Sequence, residues 1–308
     1  MLRATMTAMA DSNLIKSMVT GFPLTRSVVD RFVAGETLDE CLVRVRELAD
    51  AGLLATIDRL GEDTTNRQQA EETADAYVEL IERLHAEGLT DRVEVSLKLS
   101  AIGQFLPEGR ELALANALRI CQAAADAGTT VTFDMEDHTT TSSTLGLLAE
   151  VRERFPQTGA VIQAYLRRTR DDTRDLATEG SRVRLCKGAY EQPASVAYKT
   201  AEEIDRSYVD CLRILMEGPG YPMVATHDPA MISTALSLAN VTRRAVDSYE
   251  FQMLFNIRPD EQRRLSELGH QVRVYVPYGT DWYGYFMRRL AERPANLFFF
   301  LRALVGRR

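Results

Sequence analysis

Apolar and polar positions along this chain follow two alternating rhythms. The first fifty residues read as helical: Thr37 and Glu40 fit a capping box, and Leu38, Cys41, Leu42, Val45 and Leu48 recur at helical spacing. Beyond them, short β-rich runs take turns with long helical ones. Eight runs predict strands: Leu53 to Leu60, Val93 to Ser100, Val131 to Asp137, Ala160 to Leu166, Arg182 to Tyr190, Met223 to Asp228, Tyr249 to Leu254 and Val272 to Gly279. Helical stretches such as Asn66 to Glu87 and Ala201 to Glu217 separate them. Alternating β and α units imply a parallel sheet with right-handed crossovers, and eight units suggest closure into an α/β, TIM-like (β/α)8 barrel. No composition break or Pro/Ser-rich linker divides the chain. It therefore reads as an N-terminal helical arm, 1–50, and a barrel, 51–308.

Strand side chains alternate in direction, so each strand carries two sets. In VEVSLKLS the apolar set is Val93, Val95, Leu97 and Leu99; the polar set is Glu94, Ser96, Lys98 and Ser100. Thr132, Asp134 and Glu136 form the polar set of the next strand, followed by Arg182 and Arg184, and later by Arg273 and Tyr275. With the apolar sets toward the helices, the polar sets face the barrel interior, which most such barrels fill with branched apolar residues. Burying so many charges unpaired would be prohibitive. The pattern predicts a large polar ligand or a dense ion-pair network.

Composition narrows the partners. A net charge of -7 and a pI near 5.3 argue against nucleic acid. The four cysteines, Cys41, Cys121, Cys186 and Cys211, lie far apart with no CxxC pair, which predicts reduced thiols in a cytoplasm. The N-terminus lacks the apolar run of a secretory signal. The tail NLFFFLRALVGRR is short, carries Arg302, and is expected to pack on the protein's own body rather than span a bilayer.

GxGxxG, GxxxxGK[ST] and GxSxG motifs are absent, so the common nucleotide and hydrolase signatures do not apply. DMEDH, Asp134 to His138, ends a strand with three carboxylates and an imidazole. It reads as a metal site, as a cofactor contact, or as structure, with Asp134 paired to Lys98 and the rest capping the next helix; the structural reading outweighs metal. KGAY, Lys187 to Tyr190, puts a lysine and a flexible glycine after a strand, which suits a phosphate or a flavin ring. ATHD places Thr226 and His227 at a strand's C-terminal end, where barrel enzymes do their chemistry.

WYGYFMRRLAER predicts a helix in which Trp282, Tyr285, Arg289 and Glu292 share one side, with Arg288 about 100° from Arg289. One reading is a solvated helix with an Arg288–Glu292 pair. The other is a clamp: two guanidinium forks grip one carboxylate while aromatic rings cover an apolar ring on the same small molecule.

Together LGE, SLKLS, DMED, QAYL, RLCKGAY, ATHD, EFQML, YVPYG and YFMRRLAE, in this order between about Phe32 and Asn296, resemble the proline dehydrogenase family. The resemblance implies a distorted (β/α)8 barrel holding FAD, which oxidises L-proline to Δ1-pyrroline-5-carboxylate and passes electrons to a quinone, the first step of proline catabolism to glutamate. It assigns Arg288 and Arg289 to the substrate carboxylate, and Tyr275, Tyr285 and Leu254 to the pyrrolidine ring. Lys98 and Asp134 lie at the site floor as a pair, Lys98 approaching the substrate, and Arg184 stands near the flavin as a catalytic cation. Gln163, Arg184, Lys187, Gly188, Ala189, Thr226, His227 and Glu292 match FAD-contacting positions, and Glu62 matches a gate over Arg289. No metal is implied. The chain is too short for the fused aldehyde dehydrogenase of bifunctional relatives, so a separate pyrroline-5-carboxylate dehydrogenase is expected. Quinone reduction implies a cytoplasmic protein with transient visits to the inner membrane face. After KGAY the chain has Glu191, where bacterial relatives often carry Trp.

Overall fold

The computed structural model describes residues 29, 31–61 and 64–292, apart from the side chains of Arg288, Leu290, Ala291 and Glu292. Eight parallel strands close into a barrel in chain order: β1 Leu54–Arg59, β2 Val93–Leu97, β3 Val131–Phe133, β4 Gly159–Gln163, β5 Arg182–Cys186, β6 Tyr221–Ala225, β7 Glu250–Leu254 and β8 Gln271–Tyr278. The seam joins β1 to β8 from Leu54↔Arg273 to Arg59↔Tyr278. All eight expected strands are present. Several stop earlier than their sequence pattern: β3 ends at Phe133, and Asp134 to Asp137 belong to the mouth loop instead.

Helices α1 Leu38–Asp50, α2 Arg67–Ala86, α3 Gly109–Ala127, α4 Thr141–Arg152, α5 Thr169–Leu176, α6 Ala201–Glu217, α7 Pro229–Val241, α8 Pro259–Glu267 and α9 Trp282–Glu292, with a short 3-10 turn at Ser100–Ile102, complete the elements of the described residues. The Thr37–Glu40 capping box starts α1 as its spacing predicts, and a second box, Thr200–Glu203, starts α6. Cys41, Leu42 and Val45 of α1 join the same apolar core as the barrel strands, so the division drawn at residue 50 separates elements that share one core. Residues 1–28 of the expected arm and the apolar tail lie outside the described residues. Among the described residues no helix is long and apolar enough to cross a membrane.

The alternation along each strand sorts side chains as expected. Ile57, Val95, Phe133, Ile162, Leu185, Val224, Phe251 and Val274 are buried against the helices. The opposite set fills the lumen with charge. Near the strands' N-terminal ends, Glu94 accepts from Arg182 Nη2 at 2.6 Å and lies 3.5 Å from Arg184 Nη2 and 3.8 Å from Arg273 Nε. The hydroxyls of Thr56, Thr130 and Thr132 donate to it as well. Arg273 also pairs with Glu250 at 2.8 Å and donates to the Ala55 carbonyl. Burial opposes ionisation of Glu94, but Arg182, Arg273 and Arg184 outweigh it and hold its carboxyl well below the ordinary carboxylate range. The ion-pair network inferred from the polar sets therefore exists, and it occupies the lower half of the barrel.

Candidate active site

Above that network a cavity of about 400 Å³ opens at the C-terminal ends of the strands. That is the size of a small-molecule or cofactor site and the usual end for chemistry on this fold. Lys98, Asp134, Gln163, Arg184, Lys187, Gly188, Ala189, Thr226, His227, Leu254, Tyr275, Tyr285 and Arg289 all line it. Glu62 and the side chains of Arg288 and Glu292 lie outside the described residues.

The floor is an ionic lattice, and its pairing corrects one expectation. Lys98 is not paired with Asp134. Its Nζ donates to both oxygens of Asp58, at 3.0 and 2.8 Å. Asp134 is held instead by Arg184 Nη1 at 2.7 Å and by the Tyr275 hydroxyl at 2.6 Å. The reason is register: β1 and β2 are neighbours, with Asp58 beside Ser96, so Asp58 sits next to the lysine on the same inward face. Asp58 lines the cavity and was not singled out in the sequence. Its only signal was parity with Thr56 inside LATIDRL. Burial, and then the nearby Asp134 charge, raise the Asp58 carboxyl above its ordinary value despite Lys98. Arg184 remains a cation: burial opposes its charge, but Asp134 and Glu94 more than compensate. Its guanidinium lies 5.3 Å from the centre of the Tyr275 ring, and its Nε donates to Gln252.

The mouth loops form the walls. Gly188 adopts φ 114°, and a Cβ there would stand 2.3 Å from the Tyr165 ring, so only glycine lets this loop lie on that ring. Lys187 is pinned between Asp205 at 2.5 Å and Asp228 at 2.7 Å. Burial alone would lower its pKa, but hydrogen bonds to these carboxylates hold it above the ordinary lysine value. His227 Nε2 accepts the Leu254 N–H at 2.9 Å. Gln163 donates to the Glu136 carbonyl at 2.7 Å.

The DMEDH residues go separate ways. Glu136 accepts from the Ser100 backbone and hydroxyl, Asp137 accepts from Thr139 in the turn before α4, and His138 meets Gln192. Among the described residues no group of three or more His, Cys, Asp or Glu is placed to share a metal.

Helix α9 brings Tyr285 and Arg289 to the cavity, with the Arg289 guanidinium 5.2 Å from the Tyr285 ring centre. Trp282, grouped with them by spacing, goes elsewhere. It packs on Phe286 and donates from Nε1 to Glu36 at 3.1 Å, which ties the helix to the segment before α1.

A profile of the family described as proline dehydrogenase matches residues 41–302. Proline dehydrogenase 1 of Bacillus subtilis is 39% identical over 281 residues, which are 91% of this chain and 92% of that one. The chain belongs to the proline dehydrogenase family. The Deinococcus radiodurans proline dehydrogenase is 38% identical over 282 residues, covering 91% of this chain and 90% of its own. Among solved structures, proline utilization A from Bdellovibrio bacteriovorus, inactivated by N-propargylglycine, superposes with a TM-score of 0.82 at 24% identity. The match covers 87% of this chain and 33% of that longer one, and it shows the shared barrel fold.

The residues present fit a flavin. A buried guanidinium, Arg184, stands ready for negative charge on a ring system. Val161, Leu254 and the 187–190 loop, which lies against the Tyr165 ring, offer apolar and backbone surface for a planar group.

Proposed function

We propose that this family member oxidises L-proline to Δ1-pyrroline-5-carboxylate using bound FAD, and passes the electrons to a quinone at the membrane surface. FAD, when bound, supplies the acceptor for the hydride that leaves proline C5. Gln163, Arg184, Lys187, Gly188, Ala189, Thr226, His227 and Glu292 are the residues proposed to hold it. Arg184, kept cationic by two buried carboxylates, stabilises negative charge on the ring.

Arg289, together with Arg288, grips the substrate carboxylate, while Tyr275, Tyr285 and Leu254 enclose the pyrrolidine ring. Lys98 and Asp134 act from the floor, and Glu62 closes over Arg289 as a gate. Binding energy gathered at the carboxylate orients C5, which is how a clamp distant from the reacting atoms raises the rate. The amine must be neutral when the imine forms. The product passes to a separate pyrroline-5-carboxylate dehydrogenase. The catalytic unit is the barrel together with α1, which shares its core.

The observation that carries this reading is that Arg289 and Tyr285 face a cavity floored by Lys98, Asp134 and Arg184. A Schiff-base lyase on the same barrel would need a neutral lysine. Lys98 and Lys187 are both held by carboxylates. An anaerobic titration tests the proposal. The purified protein is expected to be yellow and to bleach on adding proline without an acceptor. Colourless protein, or yellow protein that ignores proline, would sink it.

A further inference from the structure

Lys98 is 7% exposed and Asp58 1% exposed, so neither could stay charged alone at acceptable cost. They hold each other. β1 turns Thr56 and Asp58 inward, β2 turns Glu94, Ser96 and Lys98 inward, and the register sets Asp58 beside Ser96. The lysine therefore contacts both carboxylate oxygens of the adjacent strand. Asp134 is engaged instead by Arg184 and Tyr275. Lys98 and Asp58 line the same cavity as Arg289 and Tyr285.

Resting on the reading that this cavity takes L-proline, we propose that Asp58 is the positioning residue for Lys98, fixing its ammonium as a charged donor that meets the substrate carboxylate together with Arg289. The two rigid strands set where that donor stands. The aspartate holds the ammonium through both of its oxygens. The charged and titratable groups facing the pair are Tyr77 from α2, Asp134 beyond β3, Arg184 from β5, Tyr275 and Tyr278 from β8 and, across the cavity, Tyr285 and Arg289 from α9. Burial and neighbouring carboxylates push the Tyr77 and Tyr275 phenols well above the ordinary tyrosine value, so neither titrates near neutrality.

The test uses the flavin-loaded enzyme and cyclopentanecarboxylate, a ring carboxylate with no amine to titrate or oxidise. Its Kd is read by calorimetry and by competition with proline between about pH 7 and pH 9.5. Wild type is expected to bind with a flat profile. In Asp58→Asn the buried lysine loses its counter-charge, and burial draws its pKa down toward or into that range. Affinity should then fall about tenfold or more as pH rises and the amine becomes neutral. Asp58→Glu should restore the flat profile, which a purely structural defect would not explain. If Asp58→Asn fails to fold, Asp58→Asn with Lys98→Met removes both charges together; it should bind weakly at every pH, and wild-type affinity there overturns the inference. An Asp58→Asn enzyme with wild-type affinity and a flat profile overturns it too, and leaves the substrate reading intact. A wild type that neither binds the analogue nor bleaches with proline overturns both.

Discussion

Replacing Glu94 with Gln probes the charge lattice of the lower barrel with almost no change of shape. The wild-type carboxylate is 2% exposed and meets three guanidiniums and three threonine hydroxyls. After the substitution Arg273 keeps Glu250 and Arg184 keeps Asp134. Arg182 has no other carboxylate within salt-bridge distance among the described residues. The variant therefore strands one buried cation, and the glutamine amide turns a donor toward donors. Breaking a buried pair from one side costs about 3–5 kcal/mol. No cavity contribution adds to this, because the side-chain volume is kept. Urea unfolding at neutral pH, followed by circular dichroism, should report a loss of that size. Arg83→Gln, which breaks surface pairs with Asp39 and Glu87, should leave the midpoint nearly unchanged. Adding Arg182→Met to Glu94→Gln should recover most of the loss. The pH dependence has a definite sign. The Glu94 carboxyl is held below its ordinary value, so its stabilisation is full above the unfolded pKa of about 4.3 and fades as pH falls through the native value. The gap between wild type and variant should stay constant from neutral pH down to about pH 5 and narrow in stronger acid. A neutral-pH loss below about 1 kcal/mol would refute the lattice as a set of buried, mutually dependent charges.

Two further outcomes are expected. Arg289→Lys should raise the KM for proline by the equivalent of about 2–5 kcal/mol while flavin content stays unchanged, because a point charge cannot replace a fork over Tyr285; steady-state kinetics with a soluble quinone will check it. Gly188→Ala should lower both flavin occupancy and Tm, since the new Cβ meets the Tyr165 ring in a backbone conformation that costs about 1–2 kcal/mol for an L-residue; the ratio of visible to ultraviolet absorbance and a melting curve read the two effects.

The barrel was legible because its charges obey parity. Glu94, Lys98, Arg184 and Arg273 each fall on the alternate set of a β-rich run, and the structure turns each inward. Partner choice was not legible. Which carboxylate meets Lys98 depends on strand register and on how Asp134 divides between Arg184 and Tyr275, and neither leaves a trace in local sequence. Strand ends were overextended at β3 because alternating polarity continues through DMED into a loop that faces the cavity. Spacing placed Tyr285 and Arg289 together correctly, yet it could not see that Trp282 answers to Glu36, whose position depends on packing from the far end of the chain.

The seam between the first and last strands governs when this protein can be finished. Arg273 reaches back to the Ala55 carbonyl, across 218 residues, and Glu94 waits for Arg182 and Arg273. A ribosome emits β1 and β2 long before those arginines emerge. Until then the lumen-facing carboxylates of the nascent chain have no reason to leave water, and premature collapse of a half-barrel would bury them alone. The pairing of Glu94 is therefore complete only once β8 has been made.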